Sequence, residues 1–345
     1  ERLRAAVSAP VVLAGGHTVV PPMSIGLTTT RDPQDDGAAL LRDADAAMYQ
    51  AKDRGRNQHV VFDETLRTRT TERRATEQAL REGLDRAELK VHYQPVVELT
   101  AGRVVGVEAL ARWHHPAAGW LLPAEFIGVA EETGLIVELG TAVLVEACRE
   151  VARWDRAAPH LGPLSVSVNV SARQLVRSEL IHAVHEALEQ SGLAPERLCL
   201  ELTESVLLED ALFSARALRE LKDLGVRVAV DDFGTGYSSL TYLQRFPVDT
   251  LKVDRSFVEG LGGTGSRGGD RAIVAGVIDL AHAFGLTTVA EGVETPRQLA
   301  ALRSLGCEQA QGYYWHRPVP GAAALTWILD RAGPAALASA RPDAC

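Results

Sequence analysis

The chain repeatedly closes a short apolar segment with a polar residue, and that habit constrains its fold more than any other feature. The segments VVGVE, LSVSVN, RLCLE, VRVAVDD, DTLKVD, TTVAE and EQAQG carry Glu108, Asn169, Glu201, Asp231, Lys252, Glu291 and Gln311, with stretches of helical period between most of them. Strands alternating with helices predict a parallel sheet with helices packed outside it. This many strands, each bearing one reactive group at its C-terminal end, predict an α/β protein built on a (β/α)8 TIM-like barrel with its site on the top face. Such a barrel takes about 250 residues. The 345-residue chain has room for it and for a small α+β fragment in front.

Side chains alternate across a strand, so parity shows which residues share a face. Ser165, Ser167 and Asn169 form one row and Val166, Val168 and Val170 the other. The β-branched row suits the layer between sheet and helices, and the small polar row suits the barrel interior. The same parity joins Cys199 to Glu201, Ala229 to Asp231, Thr250 to Lys252 and Val289 to Glu291. In these strands the terminal polar residue continues the inward row.

Glu108, Glu201, Asp231, Asp232 and Glu291, with Glu294 just beyond, would crowd negative charge into one barrel mouth, and Lys252 supplies a single positive charge. Like charges at close range do not all ionise without compensation. Divalent cations would compensate them. Carboxylates with the Asn169 amide oxygen are hard donors, favouring magnesium, manganese or calcium over zinc. Two ions about 3.5–4 Å apart clamp a phosphodiester and activate water. A lone carboxylate is ordinarily a helix cap or a surface charge. Glu204 in LTES fits that description, capping the following helix or orienting the next loop. Capping does not explain inward parity in successive strands.

The net charge of −9 argues against a nucleic-acid polymer or an anionic membrane as partner. No apolar run is long enough to span a bilayer and no signal-peptide pattern opens the chain, so a cytoplasmic location is expected. The chain starts at Glu1 rather than Met, so a piece of a longer protein is expected, whose upstream region could tether it to a membrane. Its four cysteines are widely separated, which argues against zinc sites and disulfides, and Cys199 reads as a small core residue.

Four regions are expected: a small block at 1–63, an exposed linker helix at 64–87, the barrel at 88–335 and a tail at 336–345. The block offers one hairpin and one helix, and would be marginal alone. Within the barrel, the turn TAGR is too short for a parallel crossover, so the first two strands should be antiparallel. The stretch GLGGTGSRGGD lacks the lysine and spacing of a phosphate loop and reads as a connector.

At these residues the chain resembles the EAL-domain family, the cyclic di-GMP phosphodiesterases of bacterial signalling. Glu108-Ala109-Leu110 within VEALARWHHP is the naming motif. The likeness continues through YQPVV, EFIGVAEETGLI, SVNVSARQL, ELTES, DDFGTGYSSL, LKVDRSFV, AEGVET and QGYYWHRPV, over about residues 80–335. It implies a barrel with an antiparallel first strand and hydrolysis of cyclic di-GMP to linear pGpG with magnesium or manganese, calcium being inhibitory. Carried over, Glu108, Asn169, Glu201 and Asp231 hold one metal, and Asp231 with Asp232 binds the second. Lys252 positions the attacking water, Glu291 acts as general base or water-mediated ligand, and Gln311 supports water and substrate. Gln94, Leu110 and Arg112 match positions that contact the dinucleotide. Glu204 and Glu294 support the DFGTGYSSL loop, which the family uses for homodimer contact and metal-site geometry.

Two other readings remain beside it. One is a catalytically silent cyclic di-GMP receptor. The other is an enolase-type lyase, which would not need Arg112 and Gln94. His114 and His115 read as loop or rim residues. Trp113, Trp120 and Trp315 either stack on guanine or pack in the core, and Tyr313 and Tyr314 are equally undecided. Residues 1–63 resemble the C-terminal part of a GGDEF diguanylate cyclase domain through SIGLTTT, ADAAMYQAKDRGRN and VVF. The GGDEF signature is absent from them, so no cyclase activity is expected.

Overall fold

Short β-branched segments and amphipathic helices assemble as two units, Glu1–Ala79 and Leu80–Cys345. The computed structural model describes residues 11–12, 18–19, 23–30, 34, 36–53, 57–176, 179–209, 211–234, 243–261 and 268–338. In the first unit, β1 (Val11–Val12) pairs antiparallel with β2 (Thr18–Val19). β3 (Ile25–Leu27) and β4 (His59–Val61) lie parallel, with the helix Gly37–Asp53 between them in sequence. The main pairing of this unit is therefore a parallel one rather than a hairpin. Ala47, Ala51 and Val60 form a small buried core against Phe62. The helix crosses β3 so closely that a Cβ on Gly26 would lie 1.9 Å from the Ala44 carbonyl oxygen, so only glycine fits there.

The second unit is the barrel. Its staves are β5 (Leu89–Glu98), β6 (Val104–His115), β8 (Ser165–Asn169), β9 (Leu198–Thr203), β10 (Arg227–Phe233), β11 (Thr250–Val253), β12 (Thr287–Ala290) and β13 (Gln309–Ala310). β5 pairs with both β6 and β13, closing the ring. β5 is antiparallel to both neighbours, whereas the pairings from β6 through β8 to β13 are parallel. The TAGR turn closes through Gly102, whose φ of 70° is left-handed and whose N–H donates to the Glu98 carbonyl at 2.8 Å.

Each stave shows two environments. Val166, Val168, Leu200, Leu202, Val228, Val230, Leu251 and Val253 are almost wholly buried. The helix Ile136–Ala157 packs on β8, Ala211–Asp223 on β10, and Gly268–Ala283 on β11 and β12. Burying a Val or Leu side chain stabilises by about 1.5–3 kcal/mol, and this outer row dominates the core. The opposite row carries the polar residues. Cys148, Cys199 and Cys307 are buried free thiols. Burial pushes the Cys199 thiol up to about 12, as suits a packing residue.

Two expectations need revision. β6 does not stop at Glu108 but runs on to His115, because β7 (Gly119–Leu121) folds back on it and pairs His114 with Trp120. The helix Glu64–Asp85 is not exposed throughout. Leu80 is fully buried, and a Cβ on Gly83 would lie 2.8 Å from Nε1 of Trp113, so its last turns pack on the barrel. Among the described residues no helix is long and apolar enough to cross a membrane. β14 (Val319–Pro320) lies against β5, and the final helix Gly321–Ala338 runs past the expected barrel end at 335.

Candidate active site

Lys252 stands at the centre of the barrel mouth, with only 1% of its surface exposed. Its Nζ lies 2.5 Å from Glu291 Oε1, 2.6 Å from Glu201 Oε2, 3.2 Å from Asp231 Oδ2 and 3.8 Å from Glu108 Oε1. Gln311 donates from Nε2 to Glu108 Oε2 at 2.5 Å and to Glu291 Oε1 at 3.2 Å, while Asn169 Nδ2 donates to Glu108 Oε1 at 2.8 Å. All seven residues that close the apolar segments thus belong to one hydrogen-bonded group, brought together from separate staves. Glu201 and Asp231 both point inward.

Four carboxylates face one ammonium, so full ionisation would leave a formal −3 in a buried place. Burial pushes Glu291 up to about 8, with the negative fields of Asp231 and Glu108 adding to the effect and Lys252 opposing it. Burial likewise raises Glu201, reinforced by Glu108, Asp231 and Glu291. Glu108 is lowered: burial acts against it, but Lys252 and the amides of Gln311 and Asn169 outweigh burial. Lys252 pays the same desolvation, yet its four acidic neighbours hold it well above its ordinary value. Without added cations, burial and mutual repulsion favour the protonated forms of Glu291 and Glu201.

The Asp231–Asp232 step departs from strand geometry. Adjacent strand residues face opposite ways, but the register with β11 slips between Val230 and Phe233, and Asp232 has a φ of 53°. Aspartate tolerates this left-handed conformation better than most residues. The Asp232 amide donates to Asp231 Oδ1 at 2.9 Å. Burial, Asp231 and Asp254 together push Asp232 up to about 6. Asp254, just past the end of β11, is an acid outside the predicted set, although it shares the parity of Thr250 and Lys252. It also caps the helix Arg255–Glu259 through the Ser256 amide at 3.1 Å.

Gln94, Leu110 and Arg112 lie along one face. Gln94 pairs across from Glu108, His92 from Leu110 and Lys90 from Arg112. Cross-strand partners share a face, so this row extends outward from Glu108. Gln94 donates to the His316 carbonyl at 3.2 Å, and Arg112 Nη1 donates to the Ala111 carbonyl at 2.7 Å. Burial lowers Arg112, partly offset by Tyr313 and Glu108.

The remaining predicted positions are more scattered. Glu204 accepts from the Gly234 amide at 3.3 Å, at the start of the loop; residues 235–240 of DFGTGYSSL lie outside the described residues, so the dimer contact does too. Glu294 stands apart from the carboxylate group and pairs with Arg255 Nη2 at 3.2 Å. Trp113 is a core residue, buried against Phe126, with its Nε1 donating to Glu88 at 3.2 Å. Trp120 is 51% exposed. Tyr313 is stacked under the Arg317 guanidinium at 4.1 Å.

The donor set fits hard divalent cations in chemistry. Carboxylates outnumber their single counter-charge, and Oε1 of Gln311 is buried in this group without a hydrogen-bond partner. The arrangement differs from the one expected. Among the described residues no three His, Cys, Asp or Glu side chains surround an ion-sized point. The carboxylates converge on the lysine instead, since a buried ammonium is the strongest counter-charge the chain itself supplies.

An EAL domain model matches residues 77–318, and a diguanylate cyclase GGDEF domain model matches residues 1–58. The chain belongs to the EAL domain family. This EAL domain chain is 40% identical over 320 residues to the bifunctional diguanylate cyclase/cyclic di-GMP phosphodiesterase MucR of Pseudomonas aeruginosa, covering 93% of this chain and 46% of that protein. It is 42% identical over 323 residues to the cyclic di-GMP phosphodiesterase NbdA of the same organism, covering 94% of this chain and 40% of that one. The EAL chain therefore spans less than half the length of these relatives. A solved structure of the PaMucR phosphodiesterase in complex with c-di-GMP superposes with a TM-score of 0.69 at 42% identity, over 72% of this chain and 99% of that one.

Proposed function

We propose that this EAL domain hydrolyses one phosphodiester of cyclic di-GMP, yielding linear pGpG, with magnesium or manganese as cofactor. The observation that carries the reading is the buried ring of Glu108, Glu201, Asp231 and Glu291 around Lys252, cross-linked by Gln311. A binding site without chemistry has no need to bury four acids on one lysine. The relatives' activities and the PaMucR complex point to the same substrate. Glu108, Asn169, Glu201, Asp231 and Asp232 would hold the cations, which would supply charge neutralisation on the phosphate and acidify a water molecule.

The residues of the chain have separable tasks on this reading. Arg112 and Gln94 orient the dinucleotide along the row that leads away from Glu108, the guanidinium fork matching a phosphate. Lys252, kept cationic by its neighbours, places a water with its N–H donors. Glu291 receives the proton of that water, and Gln311 holds Glu291 and Glu108 in position. Water adds hydroxyl to phosphorus, the P–O bond to one ribose breaks, and the leaving oxygen takes up a proton. The barrel at 88–335 is assigned as the catalytic region and 64–87 as its connection to the GGDEF-like block, which carries no cyclase activity. Homodimer contact through the DFGTGYSSL loop and a cytoplasmic setting belong to the same proposal.

The test is to incubate the purified chain with cyclic di-GMP and magnesium or manganese and to resolve the products. Wild type should release pGpG and Glu108→Ala should not. Tight binding of cyclic di-GMP with no pGpG from wild type in either metal would refute the phosphodiesterase reading in favour of a receptor.

A further inference from the structure

β6 and β7 carry a feature that the catalytic group does not use. Trp120 is 51% exposed, unusual for the largest aromatic side chain. It is nevertheless held in place: its ring lies 4.7 Å from that of His114 and 5.2 Å from that of His92, both tilted. The register places it. His114 follows Glu108, Leu110 and Arg112 in the same row of β6, and Trp120 is its cross-strand partner on β7. Trp113, of the opposite parity, is buried in the outer layer against Phe126. Trp120 therefore lies on the face that carries the carboxylates and Arg112, on the strand beside β6.

His92 completes the support of the exposed ring. Nε2 of His92, beneath the tryptophan, is buried without a hydrogen-bond partner. Burial and the neighbouring Arg112 both lower the pKa of His92, partly opposed by the Pro318 carbonyl, so the imidazole is neutral at neutral pH and offers the tryptophan a ring rather than a charge. An exposed ring backed by two others, on the same face as a guanidinium suited to phosphate, is how proteins hold an unpaired base beside its backbone.

We propose that Trp120, supported by His92 and His114, is the stacking platform for one purine base of the cyclic dinucleotide and a specificity-determining residue of this chain. The proposal rests on the cyclic di-GMP reading above. It divides the site in two, with acids and Lys252 for the reacting diester and a π-face for a base.

The test measures cyclic di-GMP binding in chelator, by titration calorimetry, and turnover in magnesium, for wild type, Trp120→Phe, Trp120→Leu and Trp120→Ala. Trp120→Ala should weaken binding and raise KM about 10-fold, the ordinary worth of one base–aromatic stack, with kcat little changed. Trp120→Leu, which keeps apolar bulk and lacks a π-face, should be as weak as Trp120→Ala, whereas Trp120→Phe should bind close to wild type. Equal binding by wild type, Trp120→Leu and Trp120→Ala would overturn the platform while leaving the phosphodiesterase intact. So would a loss in kcat alone. Wild type that binds without turnover would sink the hydrolysis reading and still leave the platform to be decided by the binding series. Wild type that neither binds nor cleaves overturns both.

Discussion

Replacing Lys252 by methionine tests the electrostatic account of the barrel mouth. The change keeps a long apolar stem and removes the ammonium that lies within 3.2 Å of Glu201, Asp231 and Glu291. A unit-charge pair at such range has roughly 5–7 kcal/mol of gross attraction at an effective dielectric near 20. Desolvation offsets much of that in the intact group, so the cost of the substitution is set by the carboxylates left behind. Removing one partner from a buried charge network costs about 3–5 kcal/mol, and that loss is expected at pH 8 in chelator. At pH 5 the acids can take up protons instead, and the loss should shrink to below about 2 kcal/mol. Urea unfolding followed by the fluorescence of Trp113 and Trp154, both buried in the barrel unit, reads the difference. Adding magnesium should stabilise Lys252→Met more than wild type, because a cation replaces the missing counter-charge. A loss under about 1 kcal/mol at pH 8, or an equal loss at both pH values, would refute the view that Lys252 neutralises the ring.

Three further outcomes follow from the same structure. Glu291 and Asp232 are raised in the folded state, to about 8 and about 6, so their contribution is complete below their ordinary carboxylate values and is lost as pH rises through those numbers. Wild-type stability in chelator should therefore fall from pH 5 to pH 9 by a few kcal/mol, with saturating magnesium flattening the slope; a rising curve in chelator would contradict the burial argument. Asp232→Val puts a β-branched side chain at a φ of 53° and should cost about 1–3 kcal/mol, whereas Asp232→Asn should cost less in thermal unfolding. Gly26→Ala drives a Cβ to within 1.9 Å of the Ala44 carbonyl oxygen and should loosen the first unit by about 1–3 kcal/mol, seen as faster proteolysis between residues 25 and 61.

Much of the barrel was legible because its two signals reinforce one another. Val166, Val168 and Val170 alternate with Ser165, Ser167 and Asn169, and only a strand between a helix layer and a polar lumen makes sense of both rows. The TAGR turn disclosed the antiparallel stave for an equally local reason, since four residues cannot carry a chain back across a sheet. What escaped depended on partners distant in sequence. β6 outruns Glu108 because β7 pairs with its far half, and nothing within VVGVE announces that. Leu80 falls within the helix expected to be exposed, yet it is fully buried. Parity would have enrolled Asp254 had the row of β11 been continued two residues past Lys252. Counting charges established that the acids needed a counter-charge, but not that the lysine would take the middle of the ring.

The reversed direction of β5 settles where the polypeptide joins the barrel. A wholly parallel barrel begins on the side remote from its reactive groups, the side that maintains stability. Here Leu89 starts at the rim itself. Glu88 just before it accepts from the Trp113 indole at 3.2 Å and, through its carbonyl, from the His114 amide at 3.0 Å. A strain applied to that junction is delivered first to the strand bearing His92 and Gln94 and to its neighbour bearing Arg112. On the proposed function, a fusion made immediately ahead of residue 88 therefore acts on the strands that would flank the substrate.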